Sequence, residues 1–435
     1  MKKDKISVGV IGFGTVGTGT VRILLENKDV LKERLGFKVN LKRIADIDVK
    51  RDRGINIPEG VLTTDVDAVL NDPDIDIVVE LIGGIRPAKD FIIKAIQNRK
   101  HVVTANKALL ATEGTDIFDA ARESRVEVGF EASVAGAIPI IKVMKEGLVA
   151  NRIKAVYGII NGTSNYILTK MTDENVEFSD ALKEAQKLGY AEADPTLDIE
   201  GIDTAHKLTI LASLAYGIPL SYKSIYIEGI SGISSQDIAF ASELGYKVKL
   251  LAIAKESEGE IELRVHPTML PKDYLIAKVD GPFNAIYVDG DVTGSTLYYG
   301  RGAGSVPTGS AVVSDIIDIA RNIQKEAVGR VPTLPASSGD RKIKKIDYIV
   351  SRYYFRFFAL DKPGVLSKIS GILGNYNISI ASVIQKGRRI GEAVPLVVLT
   401  HEAKEKDVRQ AINEIDRLSV VMDKTVFIRV EGREG

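Results

Sequence analysis

The chain has 435 residues, and its 58 Lys+Arg are balanced by 58 Asp+Glu. It therefore offers no net field to hold a polyanion, and no nucleic-acid partner is expected. There is no Cys and there are only four His (His101, His206, His266 and His401), which removes disulfides, iron–sulfur clusters, thiolate zinc and thiol nucleophiles. No apolar run reaches the ~18 residues of a membrane span. The N-terminal MKKDKISVGVIGFG lacks the apolar core and cleavage site of a signal peptide, so no membrane partner is expected and the cytosol is the expected compartment.

In chain order, the apolar run ISVGVI predicts a buried parallel strand over 6–11, followed by Gly12-Phe13-Gly14-Thr15-Val16-Gly17 and a helix. Strands are expected at 39–45, ending at Asp46, and at 75–81, 101–103 and 126–130, with helices at 87–97 and 115–122. Strands alternating with helices mean an α/β fold with a doubly wound parallel sheet. After Glu131, helices at 139–146, 180–188 and 202–216 mix with β-rich stretches at 247–254 and 261–265. That texture predicts an α+β domain on an open sheet. It closes with the glycine-rich GRGAGSVPTGS and an amphipathic helix. The stretch GRVPTLPASSGDRKIKK then reads as a linker. The tail has the order βαββαβ, which is ferredoxin-like: strands at 353–359, 378–385, 393–400 and 425–430, helices at 365–373 and 403–417.

Within the fingerprint, Gly12 allows the tight turn, Gly14 lets backbone amides approach a pyrophosphate, and Gly17 lets the helix pack on the strand. The helix N-terminus then faces the phosphate charges. Because a strand precedes, a helix follows and the second strand ends in an acid, dinucleotide binding outweighs a purely structural turn. Asp46 stands where a carboxylate accepts the ribose hydroxyls of NAD, while Arg43, Lys50 and Arg51 are placed to hold the 2′-phosphate of NADP or to be solvated surface charges. Both nucleotides stay open.

Lys107, in TANKALL, follows a strand of the same sheet, at the edge where ligands of such sheets lie. The stretch from Gly189 to Gly217 carries Glu192, Asp194, Asp198, Glu200 and Asp203, with Lys207 one helical turn after Asp203. A helix cap with an i,i+4 ion pair accounts for two or three of these acids. The others sit in a loop, and carboxylates gathered near a lysine suit a small substrate with an amino group and a reacting oxygen. Asn161-Gly162-Thr163-Ser164-Asn165-Tyr166 reads as a polar loop, with helix capping the favoured role.

Together, GFGTVG, TANK, EASVAGAIP, NGTSNYILTKM, GYAEADPTLDIEGIDTAHKL and GRGAGSVPT resemble the homoserine dehydrogenases, in that family's order, from about Ile6 to Ile323. The tail, with DKPGVL and Asn377-Ile378-Ser379-Ile380, resembles an ACT domain. The resemblance implies an NAD(P)-binding Rossmann domain over 1–133, completed by a helix at 305–325, and a substrate-binding and dimerisation domain over 134–304. A linker over 329–350 and an ACT domain over 351–431 follow. It makes Lys207 the proton donor, with Lys107 and Asp203 as catalytic partners and Glu192, Asp198, Thr163 and Tyr190 at the substrate. Gly12, Phe13, Gly14, Thr15, Val16, Gly17, Asp46, Thr104, Lys107 and Gly302 would hold NADP or NAD. A monovalent cation, sodium in the family, would take Glu131 and the backbone oxygens of Val134, Gly136 and Ile138. The resemblance also implies aspartate 4-semialdehyde and homoserine as the small-molecule pair, a homo-oligomer built on a dimer, and an amino-acid effector at the ACT domain, threonine first.

Chemistry from the residues agrees with that expectation. With no zinc motif, a lysine ammonium is the remaining acid to protonate a developing alkoxide, and Asp203 keeps Lys207 charged. Aspartate-semialdehyde dehydrogenase handles the same aldehyde but needs a cysteine, which this chain lacks. A 2-hydroxy-acid dehydrogenase would rest on a His–carboxylate pair. The alternative of another class is a catalytically silent sensor of nucleotide and amino acid.

Overall fold

Lys5–Ile11 is buried at every position but the first, on both faces, as a strand inside a helix-covered parallel sheet must be. In the computed structural model, which describes residues 4–335, 341–386 and 392–432, this strand sits centrally in a parallel sheet. The spatial order is Leu62–Thr63, Lys38–Ala45, Lys5–Ile11, Ile77–Glu80, His101–Thr104, Val128–Gly129. The order reverses next to the first strand, which is the doubly wound, Rossmann-like arrangement and opens a crevice beyond the strand ends. Residues 336–340 of the expected linker lie outside the described residues.

The chain forms two compact units that cut across its linear order. The first gathers Met1–Gly162, Asp203–Ile225 and Pro282–Arg341. It holds the parallel sheet and an antiparallel set, Ile153–Ile159, Phe283–Gly290 and Gly294–Arg301. The helix Ser305–Gln324 shares a core with the sheet through Val312, Ile316 and Ala320, against Ile6, Val8 and Val10.

The second unit gathers Thr163–Ile202, Tyr226–Gly281 and Lys342–Gly435. Here the long hairpin Tyr246–Ser257 and Glu260–Pro271 meets the tail, because Val426–Val430 pairs in parallel with it, Thr268 opposite Arg429 and Met269 opposite Val430. The tail follows the expected βαββαβ order. Its antiparallel strands run Val426–Val430, Val350–Leu360, Ala393–Thr400, Ile380–Gln385 in space. Phe355, Phe357, Ile369, Leu373, Val398 and Ile415 fill its core.

Several elements differ from their expected bounds. The helix expected at 115–122 begins at Lys107 and runs to Ser124, with a kink at Glu113 that breaks its periodicity. The segment at 139–146 is a short helix, Ile140–Lys142, running into a π-helical turn, Val143–Gly147. The polar NGTSNY segment starts a helix, as its capping reading expects, with Gly162 to Tyr166 inside the helix Gly162–Glu174. Among the described residues no helix is long and apolar enough to cross a membrane.

Candidate active site

Gly12 adopts φ +100°, and a Cβ there would lie 2.7 Å from the Leu81 carbonyl carbon, so only glycine makes this turn. Around it the second strand closes back. Phe13 N donates to Asp46 Oδ2 at 2.5 Å, and Asp48 N to Asp46 Oδ1 at 2.8 Å. Arg53, which the sequence did not single out, lies across the loop. Its Nε donates to Phe13 O at 2.6 Å, its Nη2 lies 3.3 Å from Asp46 Oδ1, and its guanidinium carbon is 4.5 Å from the centre of the Phe13 ring. Asp46 is thus already occupied, and a cation stands beside it. Arg43 reaches the Gly60 carbonyl instead.

Thr104 ends its strand with its hydroxyl donated to Glu80 Oε2 at 2.7 Å, and Glu80 Oε1 accepts from Ile82 N and Gly83 N. Burial pushes the Glu80 carboxyl up, while those donors oppose the shift. Thr104 shapes the loop rather than offering a free hydroxyl. Asn106 caps the next helix, accepting from Leu109 N at 3.1 Å, and that helix begins at Lys107.

Lys107 and the buried helix Ile202–Tyr216 meet at Asp203. Asp203 Oδ2 accepts from Lys207 Nζ at 2.6 Å and from Asn161 Nδ2 at 2.9 Å, and Oδ1 lies 3.1 Å from Lys107 Nζ. Lys207 Nζ also donates to Ile160 O at 2.7 Å. Burial works against the Asp203 charge, but Lys207 and Lys107 outweigh it and hold the carboxyl well below its ordinary value. His206, on the same helix, is pushed down by burial and packs on the Tyr222 ring at 4.6 Å. The structure therefore brings the three expected catalytic residues together in one unit and adds Asn161 and the Ile160 carbonyl, which the capping reading of NGTSNY concealed.

In the other unit, Glu192 and Asp194 are exposed, and Asp198 lies on the short helix Thr196–Ile199. Asp194 Oδ1 accepts from Thr196 N and Oγ1, a local turn. Thr163 is buried and donates to Tyr190 O at 2.7 Å, so its hydroxyl anchors the loop, while the Tyr190 ring packs on Tyr166 at 4.8 Å.

The expected cation turn passes through left-handed Ala135 (φ 55°) and Gly136 (φ 53°). The Val134 and Gly136 carbonyls accept no backbone hydrogen bond among the described residues, which suits an ion held by main-chain oxygens. The Ile138 carbonyl takes Ile140 N at 2.8 Å. The Glu131 carboxylate accepts from Ile141 N at 2.8 Å and Lys142 N at 2.9 Å, so it caps the following helix. Its own N–H donates to Asp315 Oδ2 at 2.8 Å. Burial raises Glu131 to about 7, and burial with the Glu131 charge raises Asp315 to about 8. Among the described residues no group of three or more His, Asp or Glu could hold a metal. Gly302, expected at the nucleotide, packs tightly on the Asn284 amide, which a Cβ there would overlap.

Comparison with known proteins fits this geometry. Residues 12–131 match the homoserine dehydrogenase NAD-binding domain, 139–317 the homoserine dehydrogenase family, and 353–419 the ACT domain. The chain is 47% identical to the homoserine dehydrogenase of Neisseria gonorrhoeae over 98% of each chain. With that of Pseudomonas aeruginosa it shares 48% identity, over 98% of this chain and 99% of the other. The crystal structure of a homoserine dehydrogenase from Thiobacillus denitrificans superposes with a TM-score of 0.93 at 50% identity, covering 98% of both. The chain belongs to the homoserine dehydrogenases, oxidoreductases with a nucleotide-binding domain, a catalytic domain and a C-terminal ACT domain.

Proposed function

We propose that Lys207 is the general acid that protonates the carbonyl oxygen of aspartate 4-semialdehyde to give homoserine, and the base that takes the proton back in the reverse direction. The observation that carries this is the single Asp203 carboxylate, buried and charged, with one ammonium on each oxygen. The nicotinamide supplies or accepts the hydride. Lys207, held by Asp203 and Ile160 O, presents its ammonium in one direction, and the Lys107 ammonium adds positive charge where the alkoxide develops. Glu192 and Asp198 are the carboxylates for the substrate's amino group. A monovalent cation would rest on main-chain oxygens of the Val134–Ile138 turn, in a structural role.

The Arg53–Asp46 pair favours a nucleotide with a 2′-phosphate, so NADP is the preferred cofactor. The residues of the fingerprint, with Thr104 shaping the adjoining edge, fit its dinucleotide. The setting is threonine, methionine and isoleucine biosynthesis in the cytosol, by a homo-oligomer built on a dimer, with threonine as effector at the ACT domain. Nicotinamide absorbance, followed with homoserine and with NADP or NAD in turn, tests the reading. Turnover favouring NADP is expected, and nucleotide binding with no turnover would return the silent sensor.

A further inference from the structure

We infer that Arg429, on the last strand of the tail, and Glu228 are positioning residues for the acidic loop at 192–198. The inference rests on the reading of that loop as the substrate's carboxylate wall.

Arg429 is wholly buried. Its Nε donates to Glu405 Oε2 at 2.9 Å, its Nη1 donates to Glu228 Oε2 at 2.9 Å, and its guanidinium carbon lies 5.1 Å from the centre of the Tyr226 ring. The Tyr226 hydroxyl donates to the same Glu228 oxygen at 2.9 Å and accepts from Arg409 Nη2 at 2.8 Å. Two donors therefore hold one carboxylate oxygen, and both are themselves held by the tail.

The backbone carries the constraint onward. Glu228 N donates to Val265 O at 2.8 Å, and two residues later Ile230 N donates to Ile199 O at 2.8 Å. Ser231 Oγ donates to Glu200 Oε1 at 2.8 Å. Gly229 lies so close that a Cβ would sit 2.6 Å from Ile199 O and 2.7 Å from Glu200 Cα. The backbone that follows Glu228 is thereby tied to Ile199 and Glu200, the end of the short helix Thr196–Ile199 that carries Asp198. That helix is held from its other side by Ser164 Oγ, which donates to Asp198 O at 2.9 Å.

A second joint serves as the control. Asp237 accepts from Arg356 Nε at 2.6 Å and from the Tyr354 hydroxyl at 3.0 Å, fastening the tail to the helix Ser235–Glu243 with no hydrogen bond from these three side chains to the acidic loop among the described residues. Cement alone would make the two joints equivalent.

The test is steady-state kinetics and melting of full-length variants. Glu228→Ala should raise KM for homoserine by about 2- to 30-fold, the span of long-range couplings, with kcat and the nucleotide KM within about two-fold. Glu228→Gln keeps an acceptor oxygen and should restore most of the affinity. Tyr354→Phe should lower the melting temperature and leave KM alone. Arg429→Lys should resemble Glu228→Ala. If it does not fold, the half-exposed Glu228 decides the matter. Glu192→Gln separates the two readings. If it raises KM while Glu228→Ala does not, the positioning role is overturned and the loop reading stands. If neither raises KM, the loop reading fails and takes the inference with it. A fall in melting temperature for Glu228→Ala with unchanged KM makes the contact cement only, and also overturns it.

Discussion

Two buried charge clusters, one in each unit, use like ingredients to opposite ends. Around Asp203 one carboxylate holds two lysines, and one of them, Lys107, keeps 41% of its side chain exposed. Around Arg429 and Arg264 two arginines no more than 1% exposed are locked among Glu405, Glu262 and Glu431, with His266 against Arg264 and the more exposed Arg409 and Lys255 at the margin. Arginine keeps its proton throughout the range in which proteins fold, and its planar fork suits fixed carboxylates. Lysine is a point charge that can give a proton up. The lysine cluster keeps one cation partly exposed, as the proposed acid chemistry needs, and the arginine cluster joins the tail to the long hairpin.

That contrast can be broken most violently in the second unit. Glu405→Ala strips Arg429 of two hydrogen bonds in a sealed site, and denaturation should show a loss of about 3–5 kcal/mol, as for one partner of a buried pair. A loss near zero would show that the site is not sealed. In the first unit, Asp203→Asn leaves two ammonium groups without their counter-charge, and kcat/KM should fall roughly 10²-fold. Unchanged kinetics would demote the carboxylate to a structural link.

Smaller effects sharpen the picture. Arg53→Ala should cost NADP about 10- to 150-fold in affinity relative to NAD, a charge-assisted phosphate contact being worth about 1.5–3 kcal/mol. An equal loss for both nucleotides would instead assign Arg53 to the loop's own stability. Because the folded carboxyl of Asp203 lies below its ordinary 3.8, its contribution to stability is complete above that value. It is lost as pH falls through the depressed folded value. The melting-temperature gap between wild type and Asp203→Asn should hold from neutrality to about pH 5 and shrink at stronger acidity. A gap that widens in acid would contradict the sign.

Local patterns carried much of this into the sequence. Consecutive apolar residues marked the parallel strands, and the i,i+4 spacing put Asp203 beside Lys207 on one helix face. What was illegible depends on chain returns. Nothing near Lys107 announces Asp203, and Arg53 stands in a loop without periodicity yet closes over Phe13. Glu131 could not show that its carboxylate would be taken by Ile141 and Lys142, since that needs the turn between them to fold first. The pairing of Met269 with Val430 was equally hidden, because parallel strands far apart in sequence leave no hairpin signal. It follows that deleting the tail to test an effector would also unseal Arg264 from Glu431, so intact chains with altered effector sites make the cleaner comparison.

The most direct test of the account is Lys207→Ala, measured for turnover of homoserine and, separately, for binding of the nucleotide. Turnover should fall by about 10² to 10⁴, while nucleotide affinity stays at the wild-type value because the Lys207 ammonium hydrogen-bonds only to Asp203 and the Ile160 carbonyl among the described residues. Turnover at the wild-type rate would take Lys207 out of the mechanism and leave the Asp203 cluster as an ion pair that merely steadies its helix.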